Sequence, residues 1–279
     1  MASSLIQKML PVLPDHPLAR IALWHVDGLQ QPGMTPDLWL TQRERSDAAE
    51  FTNEGRRREW IACRIALKRL IIQDNIITSP LHAEIRKDER GCPHVYVNDP
   101  AHNYSAVFSC SLAHKNVLVC AAYALSGAAI GIDIERRSWR LHHIRKRFES
   151  PRDQLLESAD SIGRYTTLWA FKEAASKLLG LGYAAGFSRI HCAETEPGVC
   201  SVLTPDDTLL QGNYTWVGKY VIALVTEPCP TPHVIAIRPA VERPWIEQWR
   251  RARRLSRLRR LRALAAKAEP PLDDPLDLK

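Results

Sequence analysis

Two helical stretches, each followed by a train of short strands, most constrain what this 279-residue chain can fold into. From Glu44 to Ile72, Phe51, Trp60, Ile61, Ile65, Leu67, Leu70 and Ile71 supply apolar positions at helical steps, and Arg56, Arg57, Arg58 and Arg64 crowd the same stretch. The pattern predicts one long helix with a basic side. A strand-like run precedes it at Ile21 to Val26. After it, Glu84 to Val97 reads as two strands joined at a tight turn containing Gly91, and Tyr104 to Ser111, Val117 to Leu125 and Ala129 to Ile134 read as further strands. Helical periodicity returns over Leu141 to Leu156 and Ile162 to Leu179, with Gly180 and Gly182 where a helix should stop. Strands then resume at 187–192, 198–203, 214–217, 220–226 and 233–237. The expected fold is α+β, in two similar pseudo-twofold-related halves, each a small sheet packed with a long helix. The halves divide near Ser126, giving residues 1–125 and 126–240, with a C-terminal helix and tail over 241–279.

Composition removes several function classes. No run of about eighteen apolar residues exists, and the N-terminus lacks the basic, apolar and small-residue series of a signal peptide, so a cytoplasmic protein without a transmembrane segment is expected. The seven cysteines form no Cys-x-x-Cys pair, which argues against a disulfide framework and a zinc ribbon. The net charge of +7 is not spread along the chain. Nine arginines, one lysine and one glutamate between 243 and 267 give that segment +9, leaving about −2 for everything else. A near-neutral body with a basic tail makes nucleic-acid binding an unfavoured reading.

Two segments could carry chemistry. In Gly131-Ile-Asp-Ile-Glu135, a strand would send Ile132 and Ile134 to one face and Asp133 and Glu135 to the other, about 7 Å apart. Paired carboxylates repel unless a cation lies between them, and such hard oxygen donors suit Mg²⁺. On its own, the segment fits a solvated edge strand with two surface acids better, because such pairs are common. In Trp169-Ala-Phe-Lys-Glu-Ala-Ala-Ser-Lys177, a helix would place Trp169, Lys172, Glu173, Ser176 and Lys177 on one stripe. An i,i+4 surface salt bridge between Glu173 and Lys177 is the plain reading, although a Trp on the same stripe favours a partly buried face. Together the segments offer three carboxylates and two lysines, a set suited to phosphoryl transfer: metal and lysines for the phosphate charge, and a carboxylate for the proton of a hydroxyl nucleophile.

The ordered pair, with 40 residues from Asp133 to Glu173, resembles the signature of the 4'-phosphopantetheinyl transferases. Arg56-Arg-Arg-Glu-Trp-Ile-Ala-Cys-Arg64, Gly91-Cys-Pro93 and Ser111-Leu-Ala-His114 extend the resemblance to the long, single-chain, two-half, surfactin-synthetase-activating type. It covers roughly residues 20 to 238. The resemblance implies transfer of 4'-phosphopantetheine from coenzyme A to a serine of an apo acyl or peptidyl carrier protein, with release of 3',5'-ADP, by a monomer. It implies that Asp133, Glu135 and Glu173 hold Mg²⁺ and that Lys177 contacts the coenzyme A pyrophosphate. It further implies that Arg58 and His114 hold the 3'-phosphate, that Gly91 and Pro93 shape the adenine slot, and that Lys172 lies beside the phosphates. The proton acceptor is Glu135 or Glu173. Cys92, Ser111 and Ala113 depart from the Lys, Asn and Ser of the family text.

From Pro244 onward, Trp245, Trp249, Ala252, Leu255, Leu258, Leu261 and Ala265 recur at three- and four-residue steps among arginines, predicting a basic amphipathic helix. Its uses remain open: packing on the body, docking an acidic carrier protein, or contact with nucleic acid or an anionic membrane surface. The competing class of function is a non-catalytic carrier-protein or nucleic-acid binder that uses this helix.

Overall fold

The computed structural model describes residues 16–228, apart from positions 102, 126, 156–159 and 182–185. The strand expected at 233–237 and the basic helix after Pro244 lie outside the described residues.

The first half opens with β1 (Ala19–His25), passes through α1 (Pro36–Trp39), α2 (Gln42–Ala49) and α3 (Glu54–Gln73), and continues as β2 (Ala83–Lys87), β3 (Pro93–Asp99), β4 (Tyr104–Lys115) and β5 (Leu118–Ala124). The second half repeats the plan: β6 (Ile130–Arg136), α4 (Trp139–His143) and α5 (Ser161–Leu178), then β7 (His191–Glu196), β8 (Val199–Leu203), β9 (Leu209–Val217) and β10 (Tyr220–Thr226). Each half makes a five-stranded antiparallel sheet in which the first strand pairs with the last. The orders are β1-β5-β4-β3-β2 and β6-β10-β9-β8-β7. The expected α+β architecture in two similar halves is thus present.

Strand alternation explains how the halves pack. One face of the first sheet buries Ala22, Trp24, Val95, Val97 and Phe108 against Ile61, Ile65 and Leu67 of α3. Its other face presents Ala19, Leu23, Cys120 and Ala122 to Ile130, Ile132 and Ile134 of β6 and Ile222 and Leu224 of β10. The isoleucines of β6 therefore fill the seam between the sheets, and the alternate residues Gly131, Asp133 and Glu135 must face the opposite way. Side chains stitch the seam as well: the Ser111 hydroxyl oxygen accepts the Ile132 N–H at 2.9 Å.

The single helix expected from Glu44 to Ile72 is two. Asn53 interrupts it because its side chain accepts the Arg56 N–H at 2.9 Å and so starts a new helix as an N-cap. Phe51, in the break, packs on Trp60. The helix expected over Leu141 to Leu156 shrinks to α4 and a 3-10 turn at Arg145–Arg147. Pro151 cannot continue a helix, and Asp153 instead accepts the Ser150 N–H at 2.6 Å. The strand expected at 187–192 begins only at His191, after a 3-10 turn that seats Phe187 on Trp169. β9 starts at Leu209, five residues before its expected beginning. Its Gly212 lies where Phe171 of α5 comes so close that a Cβ would be 2.7 Å from Cε1 of the ring.

Six cysteines fall among the described residues, all free thiols. Five are buried, and burial pushes the Cys63 thiol up to about 12, so these act as small apolar fillers.

Candidate active site

β6 and α5 build the centre. α5 starts at Asp160, whose carboxylate accepts the Gly163 N–H at 2.9 Å as an N-cap, and it lies across the non-seam face of β6. The approach is closest at Gly131, where an added Cβ would sit 1.9 Å from the Ala174 carbonyl oxygen. No side chain fits there. Glycine at this position lets the helix descend far enough for Glu173 and Lys177 to reach the Asp133 and Glu135 side of the strand.

Asp133, Glu135 and Glu173 are 4%, 6% and 5% exposed, and one oxygen from each lies within 4.8 Å of the other two. Among the described residues, no other trio of His, Cys, Asp or Glu side chains converges in this way. The reading of Gly131 to Glu135 as a solvated edge is thereby excluded. Asp133 Oδ2 and Glu173 Oε2 have no hydrogen-bond partner, and Glu135 Oε2 meets only the Lys115 ammonium, 2.5 Å away, outside hydrogen-bond geometry. Burial pushes the Asp133 carboxyl up to about 8 against the pull of Lys177, and the Glu173 and Glu135 charges push the same way. Burial also raises the Glu135 carboxyl, with Lys115 opposing. Three buried carboxylates, two of them with an oxygen that has no hydrogen-bond partner, form a hard, anionic donor set that a divalent cation would neutralise, so the residues present fit Mg²⁺.

Two lysines border the trio. Lys177 Nζ donates to Asp133 Oδ1 at 2.7 Å and to the Ile132 carbonyl at 3.0 Å, with 28% of its side chain exposed. Burial lowers its affinity for a proton, but Asp133 and Glu173 outweigh that and hold it above the usual lysine range. Lys115, at the end of β4, pairs with Glu135, and its 38% exposure leaves the ammonium reachable from solvent. Lys115 was not among the residues expected from sequence. The signal available was its place next to His114, since adjacent strand residues face opposite ways and one of them had to turn toward β6.

The first half supplies the other expected residues. Arg58 reaches Asp27 at 3.4 Å from the start of α3, and His114 Nδ1 meets Glu59 Oε2, on the same helix, at 3.1 Å. Burial lowers the affinity of His114 for a proton. Glu59 opposes this, while Lys177, Arg56 and Lys115 reinforce it. His114 thus lies in the field of both Arg56 of α3 and the lysines of the carboxylate centre. Gly91 takes a positive φ of 83° in the turn before β3, where Asp88 Oδ1 accepts the N–H groups of Arg90 and Cys92. Pro93 begins β3. The turn abuts the end of α5: the Cys92 Sγ is 3.7 Å from the Lys177 carbonyl oxygen. A compact thiol fits at this contact.

Lys172 does not join the centre. Its ammonium is fully buried, donating to Asp153 Oδ2 at 2.6 Å and to the Phe148 carbonyl at 2.7 Å. The stripe from Trp169 to Lys177 is wide enough for its two edges to meet different neighbours. Trp169 packs on Phe148 and Phe187, Lys172 faces the 148–153 segment, and Glu173 and Lys177 face β6.

All of this carboxylate–lysine centre except Lys115 lies within a recognisable stretch of sequence. Residues 129–225 match the model of the 4'-phosphopantetheinyl transferase superfamily. The matched stretch runs from just before β6 into β10, so it contains Asp133, Glu135, Glu173 and Lys177. Two solved structures are similar over part of the chain. Holo-ACP-synthase from Plasmodium yoelii is 15% identical, with 38% of this chain and 91% of that chain covered, at a TM-score of 0.32. Thermotoga maritima holo-[acyl-carrier-protein] synthase is 23% identical, with 50% of this chain and 77% of that chain covered, at a TM-score of 0.30. No curated protein matches. Among the described residues, no helix is long and apolar enough to cross a membrane.

Proposed function

We propose that this chain transfers 4'-phosphopantetheine from coenzyme A to a serine hydroxyl of an apo acyl or peptidyl carrier protein, with Mg²⁺, and releases 3',5'-ADP. The observation that carries the proposal is the convergence of Asp133, Glu135 and Glu173 in a buried cluster, with Asp133 Oδ2 and Glu173 Oε2 free of hydrogen-bond partners and Lys177 and Lys115 at its border. The match of residues 129–225 supports it.

Asp133, Glu135 and Glu173 would hold Mg²⁺, which when bound neutralises pyrophosphate oxygens. Lys177, fixed by Asp133 and by a strand carbonyl, holds a positive charge where negative charge accumulates on the breaking phosphoanhydride. The serine oxygen forms a bond to the β-phosphorus of coenzyme A as the anhydride bond on its far side breaks. The serine proton passes to Glu135 or Glu173, and the departing phosphate leaves as part of 3',5'-ADP. Arg58 and His114 serve the 3'-phosphate, Arg58 by its exposed guanidinium and His114 by its ring beside Glu59. The turn at Gly91 and Pro93 borders the adenine.

Chromatographic measurement of nucleotide release tests this. 3',5'-ADP should form only when coenzyme A, Mg²⁺ and an apo carrier protein are all present. Equal release with a carrier whose acceptor serine is replaced by alanine would show hydrolysis in place of transfer and defeat the proposal.

A further inference from the structure

The buried Lys172–Asp153 pair has a counterpart in the other half. In the first half, Lys68 Nζ of α3 donates to Glu44 Oε2 at 2.6 Å and to the Trp39 carbonyl at 2.9 Å, while Glu44 Oε1 accepts the Ile85 N–H of β2 at 3.1 Å. In the second half, Lys172 Nζ of α5 donates to Asp153 Oδ2 at 2.6 Å and to the Phe148 carbonyl at 2.7 Å, while Asp153 Oδ1 accepts the Cys192 N–H of β7 at 2.9 Å. The parts correspond one for one: a fully buried lysine on the long helix, an acid and a carbonyl from the segment between first strand and helix, and an N–H of the strand at the sheet edge.

The same correspondence, carried along the two halves, gives the residues that stand opposite the carboxylate cluster. Aligning Lys68 with Lys172 puts Arg69 opposite Glu173. β1 and β6 are both seven-residue strands paired along their length with the last strand of their half, which puts Ala22 and Trp24 opposite Asp133 and Glu135. The three carboxylates thus become Ala, Trp and Arg, and the Arg69 guanidinium stands 5.5 Å from the centre of the Trp24 ring. One frame holds an arginine on a tryptophan in one half and an anionic centre in the other.

We infer that Lys172 and Asp153 are positioning residues, the second copy of a repeated clamp that ties the long helix to the sheet edge and so sets Glu173 and Lys177 over Asp133. The Lys68–Glu44 copy sets Arg69 over Trp24 and takes no part in the metal centre. A buried pair of this kind contributes little net stability over an apolar replacement but fixes one geometry, and losing one partner strands a buried charge. The clamp itself stands on the two halves alone; its effect on metal affinity rests on the Mg²⁺ reading above.

The test compares two shape-keeping double variants of the full chain, Lys172→Met/Asp153→Asn and Lys68→Met/Glu44→Gln, by amide hydrogen exchange and by Mn²⁺ titration. The Lys172/Asp153 variant should exchange at least tenfold faster along α5 with α3 unchanged, and bind Mn²⁺ at least tenfold more weakly. The Lys68/Glu44 variant should speed exchange in α3 and keep Mn²⁺ affinity within twofold. Should a double variant fail to fold, Asp153→Asn and Glu44→Gln alone must show the same half-specific pattern. Exchange in α5 and Mn²⁺ affinity both within twofold of the parent in the Lys172/Asp153 variant would overturn the inference, as would equal weakening of Mn²⁺ by both variants. A parent that binds no Mn²⁺ contradicts the functional reading instead, and the clamp is then decided by whether exchange accelerates in one half alone.

Discussion

Glu173→Gln should lower carrier-protein modification by about 10³-fold or more, equivalent to roughly 4 kcal/mol of transition-state stabilisation, while the fold is retained. The substitution keeps the shape of a side chain only 5% exposed and removes the negative charge of one of the three carboxylates sharing the cluster. Without metal, that charge opposes folding. The native state keeps a proton on Asp133 up to about pH 8, whereas the unfolded chain releases it near the ordinary value of about 4. This contribution to stability is complete below the unfolded value and is lost as pH rises through about 8, so metal-free stability declines across that window. Glu173→Gln removes one cause of the Asp133 shift and should make the decline shallower. Melts in EDTA from pH 5 to 8 should find the variant no less stable than the parent at pH 8. Bound Mg²⁺ should reverse the trend for the parent, because its ligands must be deprotonated. Activity within tenfold of the parent, or an unchanged pH slope, would remove Glu173 from the centre.

Gly131→Ala should destabilise the protein by about 3 kcal/mol or more, a large effect for one added methyl group. The new Cβ would lie 1.9 Å from the Ala174 carbonyl oxygen and 2.9 Å from the Leu178 nitrogen. Both are helix backbone, so no side chain can rotate away, and α5 must rise off β6. That motion separates Glu173 from Asp133, so metal affinity should fall together with stability. Gly33→Ala, at a site with a positive φ of 79° but nothing within 4 Å, should cost less. Urea unfolding decides the matter: a Gly131→Ala protein within 1 kcal/mol of the parent, an order-of-magnitude bound on ordinary surface changes, would contradict the close contact.

The parts of this molecule legible in its sequence are those fixed by local periodicity. Alternation in β6 separated Ile132 and Ile134 from Asp133 and Glu135, and the structure confirms that separation by placing the isoleucines in the seam. What alternation could not reveal is that the opposite face meets a helix, because that depends on Gly131 touching Ala174, 43 residues away. The same limit explains Lys172. Its spacing grouped it with Glu173 and Lys177, but its partner Asp153 lies in a segment whose apolar pattern read as helix until Pro151 and the Ser150–Asp153 contact ended it. Lys115 went unnoticed, and Ser111 was read only as a departure from the family text, for a related reason: their partners Glu135 and Ile132 come from the other half. The break at Asn53 was a local signal, a cap residue inside an otherwise helical pattern.

The most direct measurement is the mass of an apo carrier protein after incubation with this chain, coenzyme A and Mg²⁺, run beside the Glu173→Gln variant and beside EDTA. A gain of about 340 Da, the mass of the phosphopantetheinyl group, is expected with the parent and Mg²⁺ alone. No gain on any of several acyl and peptidyl carriers, or the same gain from the variant, would contradict it.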